Sequence, residues 1–145
     1  MRIAEISGAE FDHWISLRAA LWPKESKADL IEDASRTLAD ADQIGFIAFQ
    51  PDGIPMGFIE AAIYRDAENA SPRGHIEAWY VLPERRGEGV GRALLAHAEQ
   101  WCLHRAIHRL TSDTNASYPV SPAAHEASGF RKLAELQIYL KELTD

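Results

Sequence analysis

One cysteine, Cys102, stands in a chain of 145 residues. An internal disulfide is therefore excluded, and a reducing cytoplasm is the expected location. Cys102 falls on the apolar face of a helical stretch, which reads as a packing thiol rather than a nucleophile. No apolar run approaches the ~20 residues of a membrane span, and the N-terminus lacks a basic segment followed by an apolar core, so no membrane partner is expected. A basic excess is missing too: 15 Lys and Arg against 22 Asp and Glu leave a net charge of -7. That balance argues against sequence-independent nucleic-acid binding, which depends on cationic side chains, and suits a cationic ligand. No Gly-Lys-Ser/Thr ending is present, so there is no NTPase P-loop. The spacing of Gly87, Gly89 and Gly91 does not fit the dinucleotide-binding G-x-G-x-x-G either.

What is present fits one α/β domain over residues 1–145, with no room for a second. A hydrophobic content of 46% with 26% charged residues lies near globular averages and argues against long disordered tracts. Met1 to Ile6 reads as a strand, followed by a helix from about Ala9 to Leu21 that Pro23 ends, and a second helix from about Lys24 to Ala41. Gln43–Gln50 and Ile54–Arg65 form a hairpin around Pro51-Asp52-Gly53. A polar loop from Asp66 to Gly74 leads to a strand over His75–Leu82. Val90, Leu94, Leu95, Ala98, Trp101, Cys102 and Ala106 then recur at helical spacing. His108–Ser112 reads as a parallel strand after that crossover. A short helix near Pro122–Ala127 stops at Gly129, and Phe130 onward, with Leu136, Ile138 and Leu140 alternating, reads as a final strand.

The most informative stretch is Val81-Leu82-Pro83-Glu84-Arg85-Arg86-Gly87-Glu88-Gly89-Val90-Gly91-Arg92. It joins an apolar strand to a helix through a glycine-rich turn whose amides, with the positive end of the helix, suit a diphosphate. Arg85, Arg86 and Arg92 add positive charge in an otherwise acidic chain.

The pattern Arg86-x-x-Gly89-x-Gly91 after Val-Leu-Pro-Glu resembles the acetyl-CoA-binding motif of the GNAT superfamily of N-acetyltransferases. The resemblance implies a mixed, mainly antiparallel sheet flanked by helices, with acetyl-CoA as cosubstrate and no metal. It further implies that Arg86, Gly87, Glu88, Gly89, Val90, Gly91 and Arg92 hold the pyrophosphate, and that the preceding strand bulges and splays from its parallel neighbour. Backbone N–H groups around Trp79, Tyr80 and Val81 would then meet the thioester oxygen. Ser121 is a further cofactor contact on this reading.

Acyl transfer to an amine needs a polarised carbonyl, a deprotonated ammonium and a stabilised thiolate. Strict alternation puts His75, Glu77, Trp79 and Val81 on one face of their strand. Glu77 stands among apolar neighbours, where a carboxylate is costly unless paired or functional; it either binds or deprotonates an amine, or is a strand-edge glutamate that faces solvent or pairs with a structural Arg. Asp113, at the carboxyl end of the parallel strand, is a site residue or a turn residue. A narrower resemblance rests on Leu17-Arg18-x-x-Leu21-Trp22, Ile59-Glu60-Ala61, Glu77-x-x-Tyr80-Val81-Leu82-Pro83, Ser112-Asp113 and Ser121-x-x-x-His125-x-x-x-Gly129-Phe130. These blocks are similar to the type I aminoglycoside 6'-N-acetyltransferases, which implies that Glu77 and Asp113 are acidic residues of the acceptor site and that Trp22 lines it. Trp14 reads as core.

Glu60 is an acceptor-site candidate or an exposed strand residue. His125 occupies the position where many members carry a proton-donating tyrosine; it donates a proton or lies on the helix surface. Tyr118 replaces the asparagine common in the wider family. The acceptor is an aminoglycoside, or another amine such as a polyamine, an amino acid or a protein; a noncatalytic acyl-CoA sensor is the remaining class. The apolar final strand pairs across a homodimer or closes a monomer's sheet.

Overall fold

The computed structural model describes residues 1–65, 71–115 and 117–144, so most of the expected polar loop, residues 66–70, lies outside the described residues. The chain divides into two compact units, Met1–Asp113 and Thr114–Asp145. The first contains β1 (Arg2–Glu5), α1 (Phe11–Leu21), α2 (Lys27–Ala39), β2 (Gln43–Phe49), β3 (Pro55–Tyr64), β4 (Arg73–Val81), α3 (Val90–His104) and β5 (Leu110–Ser112). The strands form one sheet in sequence order, antiparallel from β1 to β4 and parallel between β4 and β5. The hairpin turns at Gly53, whose φ of 90° is the left-handed conformation that glycine adopts without strain.

Local chemistry explains the helix limits. Ser26 Oγ accepts a hydrogen bond from the Asp29 N–H at 3.1 Å, so α2 begins after Ser26 rather than at Lys24. α1 closes at Trp22, whose N–H donates to Arg18 O at 2.8 Å, directly before Pro23.

α1 and α2 pack on one face of the sheet and α3 on the other. Trp14, Phe58 and Ile47 are fully buried on the α1 side together with Ile6, Phe49 and Ala78. Ile63, Cys102 and Ile107 cluster on the α3 side. Each large apolar side chain buried this way contributes about 1.5–3 kcal/mol. Trp14 is core, as expected, and Cys102 is a buried packing thiol whose pKa is pushed up by desolvation.

β4 departs from regular alternation. Opposite β3, Glu60 pairs with Ala78 and Ala61 with Ile76, so Glu77 is the extra residue of a bulge. The expected single face for His75, Glu77, Trp79 and Val81 is therefore corrected. His75 and Glu77 stay on the α1 side, whereas Trp79 Nε1 donates to Gly91 O at 3.1 Å on the α3 side, and Val81 lies with it beside Gly91.

The second unit carries α4 (Ser121–Ala127), which ends before Gly129 with its φ of 92°. The strand expected from Phe130 onward is not formed. Residues 130–144 have no ladder partner among the described residues, and Leu136, Ile138 and Leu140 are 80%, 85% and 85% exposed. Alternation gives this segment strand character, but a strand exists only where a neighbour supplies hydrogen bonds.

A Cβ at Gly57 would lie 2.5 Å from Tyr80 O and 3.1 Å from Val81 Cα, backbone atoms that cannot swing aside. Gly57→Ala is expected to cost about 1–3 kcal/mol in urea unfolding, whereas Gly8→Ala, where nothing lies within 4 Å, should be close to neutral. Equal stability of the two variants would contradict the close β3–β4 pairing.

Candidate active site

β4 loses its neighbour before it ends. Its parallel pairing with β5 runs from Gly74↔Leu110 to Ile76↔Ser112, so among the described residues no strand pairs with the edge from Glu77 to Val81 on that side. The Leu82 N–H donates to Met56 O at 2.9 Å. Alternation therefore turns the Tyr80 amide toward β3 and the amides of Trp79 and Val81 toward the open edge. Beyond the strand, Gly87 (φ 81°) and Gly89 (φ 85°) take left-handed conformations that L side chains rarely adopt, and Gly89 is the N-cap of α3. The first-turn amides of α3 have no intrahelical acceptor, as at any helix N-terminus, so an anion is favoured there. Arg86 braces the loop: its Nε donates to Val81 O at 2.9 Å and its guanidinium lies 5.7 Å from the Tyr80 ring. Arg85 stands 3.8 Å from Glu88. An open strand edge with outward amides, followed by a glycine-capped helix, fits a thioester carrying a diphosphate.

The bulge sets the acidic side of the site. Tyr64 donates its hydroxyl to Glu77 Oε1, and the Tyr64 ring meets the His75 ring edge-on at 5.7 Å. His75 Nε2 lies 3.5 Å from Asp113 Oδ2. Thr111 Oγ1 accepts from Arg73 at 2.6 Å and stands 2.8 Å from His75 Nδ1. Thr111 Oγ1 also donates to Gly74 O at 3.3 Å, which ties this hydroxyl to β4 and keeps His75 Nε2 turned toward Asp113. Glu77, Tyr64, His75 and Asp113 thus form one connected group. Tyr64 and His75 were not assigned site roles from the sequence. For His75 the signal was parity, two residues before Glu77; Tyr64 had none, since only the β3–β4 register, which pairs it with Arg73, brings it there.

A cleft of about 320 Å³ is lined by Arg18, Trp22, Asp33, Arg36, Thr37, Gln43, Glu60 and Glu77. It gathers Trp22, Glu60 and Glu77, expected from sequence, and adds a face of α2. Glu60 departs from both expectations. It is 3% exposed, its Oε1 and Oε2 each accept from Arg18 at 2.9 Å, and Oε2 also accepts from Trp14 Nε1 at 3.0 Å. Neither an exposed strand residue nor a carboxylate available to a ligand, it is one half of a buried ion pair. Arg36 lies at the rim, 2.6 Å from Glu32 and 3.4 Å from Asp33.

In the second unit, His125 Nδ1 lies 2.8 Å from Ser121 O, and its ring packs against Phe130 at 5.3 Å. A carbonyl only accepts, so Nδ1 carries the proton in the neutral ring and Nε2 releases a proton only from the imidazolium. Ser121 Oγ stands 3.2 Å from the same Nδ1.

The hydrogen bond to Glu77, desolvation and the Glu77 charge push the Tyr64 hydroxyl up to about 12. Because the folded pKa exceeds the usual value near 10, Tyr64 favours the folded state below pH ~10, and this contribution is lost as pH rises toward about 12. In an ultraviolet titration, one tyrosine should ionise well above the rest, and Glu77→Gln should bring it down. Superimposable curves for the two proteins would sever the Tyr64–Glu77 link.

Comparison with known proteins agrees with these features. Residues 9–130 match the acetyltransferase (GNAT) family. The aminoglycoside N(6')-acetyltransferase type 1 of Stenotrophomonas maltophilia is 37% identical over 142 residues, 96% of this chain and 91% of the relative. Its namesake from Klebsiella aerogenes is 35% identical, over 90% of this chain and 89% of the relative. Among solved structures, AAC(6')-Iy in complex with the bisubstrate analogue CoA-S-monomethyl-acetylneamine superposes with a TM-score of 0.88 at 29% identity, covering 98% of both chains. With the fold, the glycine-capped helix and the open edge of β4 all in agreement, the chain belongs to the GNAT family of acetyltransferases.

Proposed function

We propose that the protein transfers the acetyl group of acetyl-CoA to the 6'-amine of an aminoglycoside, by direct attack within a ternary complex. One observation carries the reading: the β4 bulge sets a carboxylate, Glu77, into the cleft beside the open edge where the thioester fits. Relatives similar over nearly the whole chain are named aminoglycoside N(6')-acetyltransferases, and the bisubstrate analogue bound to AAC(6')-Iy joins coenzyme A to acetylneamine. The net charge of -7 favours the approach of a polycation. The family match runs from residue 9 to 130 across both units, which supports one catalytic domain.

Acetyl-CoA supplies an activated carbonyl with a thiolate leaving group. The chain's residues do the rest. Amides of Gly87 to Arg92 hold the diphosphate, with Arg86 bracing the loop and Ser121 as a further contact. The outward amides of Trp79 and Val81 polarise the thioester oxygen as negative charge develops there. Glu77, through water, takes the proton that the ammonium loses; the amine nitrogen then attacks the thioester carbon, the carbon–sulfur bond breaks, and the second proton that nitrogen sheds as the amide forms passes to water. Tyr64 occupies one Glu77 oxygen and orients the other. Asp113 holds a second cationic group of the acceptor, with His75 beside it, and Trp22 forms an apolar wall. His125, as imidazolium, returns a proton to the thiolate.

Thiol release from acetyl-CoA should occur with a 6'-amino aminoglycoside and not with its 6'-hydroxyl counterpart, spermidine or a lysine peptide. Turnover with another amine alone would overturn the acceptor assignment. Glu77→Gln should lower kcat about 10²–10⁴-fold while acetyl-CoA affinity holds; unchanged turnover would remove Glu77 from the mechanism.

The reading also includes a cytoplasmic homodimer. Among the described residues no helix is long and apolar enough to cross a membrane. Leu133, Leu136, Ile138, Leu140 and Leu143 are 70–85% exposed, and a second copy is the proposed cover. Light scattering should give twice the monomer mass, reverting to the monomer in Ile138→Asp. A monomeric wild type would end this part of the reading.

A further inference from the structure

We propose that Arg18 is the positioning residue of the acceptor cleft: forked onto Glu60 and set against Trp22, it fixes the aromatic wall on which the acceptor lies. It thereby controls acceptor affinity without touching the reacting atoms. The inference rests on the reading above that this cleft takes the amine acceptor.

Every nitrogen of the guanidinium is used, and by different elements. Nε and Nη2 donate to the two oxygens of Glu60 in β3, each at 2.9 Å, and Nη1 donates to Leu30 O in α2 at 3.1 Å. The pair is shielded from water, with side chains 5% and 4% exposed. A planar fork bound this way has one orientation, which a point cation such as lysine does not have. Its central carbon stands 5.2 Å from the Trp14 ring and 5.0 Å from the Trp22 ring.

Trp22 needs such support because it sits past the last helical residue of α1, at φ -120° and ψ 70°, where helix regularity no longer restrains its side chain. Its other aromatic contact is edge-on, with Phe58 at 6.5 Å. A ring that lines an open cleft offers a ligand a fixed surface only if something behind it holds the rotamer. Arg18 is placed to do that. Stability alone does not explain an ion pair here, because well-packed apolar residues often replace such pairs without loss.

The test is a double-mutant cycle between the ion pair and the wall, using Arg18→Gln/Glu60→Gln and Trp22→Leu in the full chain. The amide pair keeps volume and hydrogen-bonding capacity but loses the charged fork. Either change alone should raise the KM for the 6'-amino aminoglycoside about tenfold, with kcat within threefold and the acetyl-CoA KM within twofold. Trp22→Leu should then add less than twofold in the amide-pair background. Arg18→Lys, which keeps the cation but not the fork, serves if the amide pair does not fold, and should show the same non-additivity in smaller degree. A full tenfold effect of Trp22→Leu in every background, or a parallel rise in the acetyl-CoA KM, would overturn the positioning role. Should the wild type acetylate spermidine or the lysine peptide instead, the substrate reading fails by itself and the cycle is measured with that amine. Should it acetylate none, calorimetric Kd values for the aminoglycoside replace KM under the same criteria.

Discussion

The site depends on one irregular strand. β4 contains an extra residue at Glu77 and loses its parallel neighbour after Ile76. Each irregularity would be a defect alone. Together they give the two surfaces that acyl transfer needs. The missing neighbour exposes main-chain donors along the edge, and the bulge puts a carboxylate on the α1 side while Trp79 and Val81 turn to the α3 side. On the proposed reading, cofactor and acceptor are thereby separated across a strand a few residues long. Bulges recur beside active sites because they re-aim a side chain without breaking the sheet.

Charge on the α1 side is divided by what lies behind it. Glu60 and Glu77 are both carboxylates that line one cleft, yet they have opposite surroundings. Glu60 faces a guanidinium and an indole N–H and is neutralised within the fold. Glu77 has a phenol on one oxygen, which orients it without cancelling its charge. The first arrangement produces shape, and the second carries the chemistry proposed for this site. Buried ion pairs add little net stability, so the Arg18–Glu60 pair is better understood through the geometry it imposes on α1, α2 and Trp22.

Much of this was legible in the sequence where the physics is local. The glycine turn from Gly87 to Gly91 could be read because left-handed backbone and a helix N-terminus leave a compositional mark on adjacent residues. Trp14 in the core, the hairpin around Gly53 and the packing role of Cys102 were legible for the same reason. Glu77 stood out as a carboxylate among apolar neighbours, but the bulge leaves it exposed rather than buried. The partner of Glu60 was not legible, since Arg18 lies 42 residues away. A single extra residue in β4 reversed the side assigned to Trp79 and Val81, because alternation carries no mark of where a bulge occurs.

The sequence by itself determined the order of elements as far as α4, the family and the glycine-rich turn before α3, since these depend on periodicity, punctuation and short motifs. Only the tertiary structure decided which carboxylate is spent and which is available, that Tyr64 and His75 join Glu77 to Asp113, and that residues 130–144 carry no strand. Those outcomes depend on partners distant in the chain: an ion pair, a bulge and a ladder are properties of two segments meeting, and neither segment specifies them alone.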